Sequence, residues 1–327
     1  MKRDFRIDVL RTIGIISIIL AHTSPPEILS EARIFDVPLM AMLLGMSFVL
    51  SMKGKNFKEN YGSYVVKRFK RLIIPTWIFL TIFFSSIFLL KICLKISYPF
   101  SIKEIITSYA LISGIGYVWI IRVFFTIGLV SPLLLYISRK IKKLLHQILF
   151  IYGMLLIQQV LCMISGSLSG YSSKIFESLI AISFGYIICA MVGFWVVNLE
   201  VKQLAIFAAA SLIPFLIMNI SIPFLSLSEQ KYPPSPFFVL YGISVSLILL
   251  LVLSNNQFIE TFKKITFFNW ASKYSLEIYF WHIVPIMFFS WAMPDLSWIV
   301  KFSLATIGSC CATYIQTKYM PSLLSIK

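Results

Sequence analysis

Arg11 and His22 lie eleven residues apart in the first apolar stretch of the chain, RIDVLRTIGIISIILAHTS. At about 100° per residue, eleven steps bring the second side chain to within about 20° of the first and ~16 Å further along the same helix face. A guanidinium and an imidazole on one stripe of a membrane-spanning helix are costly to expose to lipid, so they face a protein interior or a watery cavity and mark a functional site. Imidazole exchanges a proton near neutral pH, which suits His22 to act as a general base or as a nucleophile. Asp8 precedes Arg11 by three residues, one turn away, where it can neutralise the charge. The competing reading has Arg11 and His22 reaching the headgroups at opposite ends of the span. Spacing alone admits both.

Three further constellations follow along the chain. In KRFKRLIIP, Arg68 and Arg71 share a helix face, with Lys67 and Lys70 beside them and Pro75 just beyond. Two guanidinium forks on one face suit bidentate binding of phosphate oxygens, and a basic cluster of this kind also serves as a topology signal or an anchor for anionic lipid. In YVWIIRVFFTIGLVSPLL, Arg122 follows Tyr117 and Trp119. It either extends outward through that aromatic belt or faces the bundle to hold an anionic or hydroxyl-rich substrate. In NWASKYSLEIYFWHIVPIMF, Ser275, Tyr279 and His282 recur at four and three residues and form one polar stripe. Glu277 points about 140° away from His282, and His146 falls in a basic loop.

The elements that must position these residues follow from composition. The chain has 327 residues, 59% of them hydrophobic and 13% charged, with a mean hydropathy of +0.88. Those values lie outside the soluble globular range and indicate a polytopic membrane protein, all-α, a transmembrane helix bundle. Apolar runs place ten spans near residues 6–26, 35–52, 72–92, 117–137, 145–166, 175–197, 202–222, 236–254, 274–292 and 297–316. With both termini cytoplasmic, 20 of the 29 Lys and Arg fall on the inner side, seven on the outer side, and Arg11 and Arg122 lie within spans. This split follows the positive-inside rule, so the net charge of +16 is topological and does not indicate nucleic-acid binding. LAHTSPPE is a poor leader-cleavage site, and the first stretch is read as a retained helix.

Cys93, Cys162, Cys189, Cys310 and Cys311 lie in apolar runs without disulfide or metal spacing, and no metal is expected. The basic loop KGKNFKENYGSYVVKRFKR and residues 101–113 are candidates for interfacial helices on the inner and outer sides, and SLSEQKYPPSPFF reads as a stiff outer loop. The whole of 1–327 is read as one membrane domain.

On these motifs the chain resembles the acyltransferase 3 family of integral membrane O-acyltransferases. The family's R-x-D-x-L-R with a His at the end of the first span is matched by Arg6, Asp8, Leu10, Arg11 and His22. Its Arg-x-x-Arg before a Pro is matched by Arg68, Arg71 and Pro75, and its Trp motif running into a Pro by Trp119, Arg122 and Pro132. Its Ser-x-x-x-Tyr-x-x-His is matched by Ser275, Tyr279 and His282, and a Pro-Pro-Ser loop by Pro233, Pro234 and Ser235. The second span departs from the family: LLGMSFVLS stands where many relatives carry a Phe-rich stretch ending in Ser-Gly. The chain also shows no segment like the hydrolase-like domain of some relatives, which implies handover within the membrane domain or through a separate partner.

The resemblance implies transfer of an acyl group, usually acetyl, from cytoplasmic acetyl-CoA to a hydroxyl of an extracytoplasmic or lipid-linked glycan. It implies that Arg68 and Arg71 bind the CoA phosphates and that His22 activates the hydroxyl or carries the acyl group. Arg11 with Asp8 would organise the charged cavity, and Arg122, Trp119, Tyr279 and His282 would face the acceptor. The expected partners are acyl-CoA, the glycan and membrane lipids, in the inner (plasma) membrane of a bacterium. The rival reading is a transporter or flippase for a lipid-linked glycan, which inverted repeats with interrupted helices would favour; none is evident. A non-catalytic sensor or scaffold is a third, weaker reading.

Overall fold

Asp4 starts the first helix: its carboxylate accepts the N–H of Arg6 at 3.1 Å and also binds the Arg6 guanidinium, capping donors that no preceding turn can satisfy. The helix stops at His22 because Ser24 adopts a left-handed backbone (φ 55°) and Pro25 and Pro26 cannot continue it. The computed structural model describes residues 4–52, 57, 60–95, 97–221, 225–321 and 323–324. In chain order the helices are α1 (Phe5–Ala21), α2 (Glu27–Ala32), α3 (Asp36–Ser51), α4 (Tyr61–Leu94), α5 (Ile102–Tyr109), α6 (Trp119–Lys140), α7 (Leu144–Ser167) and α8 (Gly170–Phe176). A π-helical segment (Glu177–Ala181) follows, and then α9 (Ile182–Val196), α10 (Val201–Ser221), α11 (Pro236–Val252), α12 (Asn256–Lys263), α13 (Thr266–Lys273), α14 (Ser275–Ala292) and α15 (Trp298–Tyr319).

The fold is an all-α polytopic bundle with no strand among the described residues. Every predicted span coincides with a helix, and seven helical segments are long and apolar enough to cross a bilayer. The remaining three, α1, α11 and α14, are shorter or more polar. α1 and α11 have 17 residues each, and α14 carries Glu277 and His282. The largest departure from the predicted boundaries is in α4, which starts eleven residues before the span expected at 72. Asn60 caps it, accepting the Gly62 N–H at 2.8 Å. Its 34 residues make a rod of about 51 Å against a hydrocarbon core of about 30 Å, so its first turns, carrying Arg68 and Arg71, belong to a helix and not to a loop. Lys2, Arg3, Lys53, Lys55, Lys58 and Lys327, counted in the charge bias, lie outside the described residues.

The chain divides into two compact units, 1–57 with 130–275, and 58–129 with 276–327. In the first, α3 packs along α9 through a pair of glycines. A Cβ on Gly45 would sit 2.2 Å from the Ala190 carbonyl oxygen, and one on Gly193 would sit 2.0 Å from that of Met42. Small residues bring helix backbones into direct contact, which is how helices associate where lipid removes the hydrophobic driving force. The same unit holds the Pro-rich loop. Gln158 Nε2 donates to the Pro234 carbonyl at 2.7 Å and to the Ala181 carbonyl, in the π-helical segment, at 3.1 Å. Gly185 lets the Pro234 ring lie against α9, where an added Cβ would come within 2.6 Å of its Cγ. Glu31 holds the other end, accepting from Ser226 Oγ (3.2 Å), the N–H groups of Leu227 (2.7 Å) and Ser228 (3.2 Å), and the Ser228 hydroxyl.

In the second unit, aromatic rings line α4 and its neighbours: Phe79 stacks on Phe280 at 5.1 Å, and Phe100 packs edge-on to both Phe84 and Trp291. The helix expected over 101–113 is present as α5. A capping box starts it, in which Ser101 and Glu104 satisfy each other's N–H groups. Ile102 and Ile106 point outward, 76% and 61% exposed, as an interfacial helix would present them.

Candidate functional site

Within the first unit, Asp8 and Arg11 on α1 meet Ser272 of α13 and Ser47 of α3. Arg11 Nη1 donates to Ser272 Oγ at 3.1 Å, Arg11 Nη2 donates to Ser47 Oγ at 2.8 Å, and Ser272 Oγ donates to Asp8 Oδ1 at 2.6 Å. The sequence suggests that Asp8 neutralises Arg11 one turn away; the structure links the two through the Ser272 hydroxyl. Asp8 and Ser272 are buried and Arg11 half-buried. Thr12 tightens the joint, its hydroxyl reaching the Phe268 carbonyl of α13 at 3.3 Å as well as the Asp8 carbonyl of its own helix. Burying an acid and an arginine in a membrane bundle is tolerable when both are hydrogen-bonded, and this network supplies that condition.

His22 is the first residue past α1. Its backbone N–H closes the last turn on Ile19 at 3.1 Å, and its ring is half-buried. An imidazole at a helix end followed by a proline break has its Cα direction set by the helix while the next turn leaves the axis. The same face that carries Arg11 therefore ends on His22.

Within the second unit, Arg68 lies on a built support. Its guanidinium carbon is 5.0 Å from the centroid of the Tyr64 ring, one turn earlier on α4. Its aliphatic stem runs past Gly128 of α6, where a Cβ would lie 3.6 Å from Arg68 Cδ. Tyr64 in turn donates its hydroxyl to the Gly128 carbonyl at 2.6 Å, and Tyr61 donates to the Leu129 carbonyl at 3.0 Å. Arg71 is solvent-exposed, with the Arg68 charge beside it and the Glu277 carboxylate within electrostatic reach. Glu277, left without a role by the sequence, thus acts on Arg71 through its charge, and it is 8% exposed.

Arg122 is buried and donates through Nη1 to the carbonyls of Leu111 (2.7 Å) and Ile112 (3.4 Å). The loop it holds is shaped by Gly114, whose φ of 66° and approach to Ser108 admit no side chain; a Cβ there would lie 2.0 Å from Ser108 Oγ. Trp119, half-buried, opens α6. Tyr279 donates its hydroxyl to the Tyr117 carbonyl, and the buried His282 sets Nδ1 against the Tyr279 carbonyl with its ring edge-on to Tyr117 at 6.2 Å. An Nδ1–H donated to a carbonyl leaves Nε2 of a neutral imidazole as the acceptor. Tyr279, His282 and Tyr117 are thus one cluster, and Ser275 opens the same helix half-buried.

A family model described as an acyltransferase domain matches residues 4–317. The chain belongs to the acyltransferase 3 family. Neither the curated proteins nor the solved structures gave a match. It is therefore a membrane acyltransferase, and the residues that carried the resemblance sit on α1, α4, α6 and α14 of this fold, at the end of α1 for His22, and in the loop before α11 for Pro233, Pro234 and Ser235. Four residues that the sequence did not single out support the acyltransferase motifs: Ser272 and Ser47 on Arg11, and Tyr64 and Gly128 on Arg68. Tyr64 had a legible signal, an aromatic four residues before an arginine on one helix face. Ser272 and Ser47 had none beyond being hydroxyls in apolar surroundings.

Away from these residues, Arg33 and Asp36 form an ion pair at 2.7 Å. Burial pushes the nearby Lys231 amine down from its ordinary range, opposed by the attraction of Asp36 and reinforced by Arg33. His146 is exposed, and the five cysteines are free thiols.

Proposed function

We propose that this acyltransferase moves an acyl group, acetyl in the simplest case, from cytoplasmic acyl-CoA to a hydroxyl of an extracytoplasmic or lipid-linked glycan in a bacterial plasma membrane. The observation that carries this reading is α1 itself: a buried acid and a half-buried arginine, hydrogen-bonded through Ser272, on the helix that ends on His22. In the proposed reaction the acceptor hydroxyl attacks the thioester carbonyl while His22 takes its proton. A C–O bond forms, the C–S bond breaks, and the CoA thiolate leaves and is protonated. Arg68 and Arg71 hold CoA phosphates through charge-assisted bonds, and the ring of Tyr64 with the open face of Gly128 keeps the Arg68 fork in place. Glu277 tempers the arginine pair so that release stays possible. Arg122, Trp119, Tyr279 and His282 serve the acceptor: Arg122 through the loop it holds, and Tyr279 with His282 through their hydroxyl and imidazole.

The test is the purified protein in lipid, given acetyl-labelled acetyl-CoA and a lipid-linked glycan. Label should appear on the glycan with the wild type, and His22→Ala should retain CoA binding while losing transfer. Failure of the wild type to bind CoA or to consume its acetyl group refutes the reading. Label trapped on the wild-type protein before it reaches the glycan would replace direct attack by an acyl-histidine intermediate.

A further inference from the structure

Serines in the helices of this protein commonly return their proton to their own turn: Ser244 donates to the Leu240 carbonyl, Ser246 to Gly242 and Ser290 to Ile286. Such bonds satisfy a hydroxyl locally and tie nothing together across the fold. Ser272 behaves differently. The carbonyl it would use in the same way belongs to Phe268, four residues earlier, and that oxygen accepts the Thr12 hydroxyl of α1. Ser272 instead donates to the Asp8 carboxylate, 264 residues away in sequence, and accepts from Arg11.

We propose that Ser272 is a positioning residue for the acyl-transfer reaction, its hydroxyl setting the orientation of the Arg11 guanidinium relative to Asp8. A hydroxyl carries one proton, and here that proton is committed to the carboxylate, so only its lone pairs face the guanidinium. The polarity of the chain Arg11, Ser272, Asp8 is therefore fixed. Ser47 holds the other terminal nitrogen of Arg11. Two hydroxyls from α3 and α13 thus hold the guanidinium plane at a chosen angle about the α1 axis. Ser272 is 2% exposed, so the link is shielded from competing water. The inference rests on the acyl-transfer reading, in which the Asp8, Arg11 and His22 face is the reacting one.

The test uses the full-length protein in lipid, with Ser272→Ala, Ser272→Cys and Ser272→Thr compared with wild type and with His22→Ala. Thermal unfolding, CoA binding and initial transfer rates are measured. Loss of a hydrogen bond to charged groups predicts that S272A lowers kcat about 10- to 100-fold with little change in KM for acetyl-CoA. S272T, which keeps the hydroxyl, should recover most of that rate. A purely structural hydroxyl would lower the melting temperature and leave kcat of the surviving folded protein near wild type, and that result overturns the proposal. If S272A does not fold, S272C carries the test, because a thiol has similar bulk and is a weak donor: folded S272C with wild-type kcat overturns it equally. The controls separate the two readings. If His22→Ala transfers at the wild-type rate, the reading of α1 as the reacting face is wrong; if His22→Ala is inactive while S272A keeps full kcat, only the role of Ser272 is wrong.

Discussion

Replacing Arg11 by lysine separates the charge of the residue from its fork. In the native network two different nitrogens of one planar group reach two hydroxyls, Ser272 at 3.1 Å and Ser47 at 2.8 Å. Lysine keeps the positive charge on α1 but offers a single ammonium on a flexible stem, which cannot hold both hydroxyls in the guanidinium plane. Ser272 still donates to Asp8 in the variant, so the acid stays satisfied and the fold should persist. The loss is then one hydrogen bond to a charged group, about 1.5–3 kcal/mol, or roughly 10- to 100-fold in rate if the geometry matters in the transition state. Initial rates of acetyl transfer in lipid, with saturating acetyl-CoA and glycan, read this directly, alongside a melting curve to confirm folding. A folded Arg11→Lys protein with wild-type kcat would refute the reasoning, because charge alone would then suffice and the two-serine cradle would be dispensable.

Gly193→Ala should prevent accumulation of folded protein or sharply lower its melting temperature, since the new Cβ would lie 2.0 Å from a backbone oxygen that no rotamer change can move; a normal melting curve would contradict the α3 to α9 packing. Gly128→Ala should bind CoA as wild type does because its Cβ fits at 3.6 Å from Arg68, whereas Gly128→Val should weaken binding by displacing the arginine stem, both read by equilibrium CoA titration. Arg122→Ala leaves the Leu111 carbonyl without its donor at a cost of about 1–3 kcal/mol, and should lower the melting temperature while leaving CoA affinity unchanged.

How much of this was legible beforehand differs by residue. The positions of the ten spans follow from the lengths of their apolar runs, and the stripe from Arg11 to His22 and the shared face of Arg68 and Arg71 follow from periodicity, because a helix repeats its geometry every few residues whatever surrounds it. The early start of α4 was obscured because its first turns are basic and polar, and hydropathy registers where lipid begins but not where a helix begins. Glu277 showed only that it lies off the stripe of Tyr279 and His282. That its charge reaches Arg71 of α4 depends on how α14 packs in its unit.

By itself the sequence determined a membrane bundle, the family motifs and the charged face of α1, since composition and local spacing carry that information. The tertiary structure alone decided which hydroxyls hold Arg11, which ring and glycine support Arg68, and that Arg122 is spent on the carbonyls of its own loop. Contacts such as that between Asp8 and Ser272, 264 residues apart, are set by how the helices pack, and no local period records them.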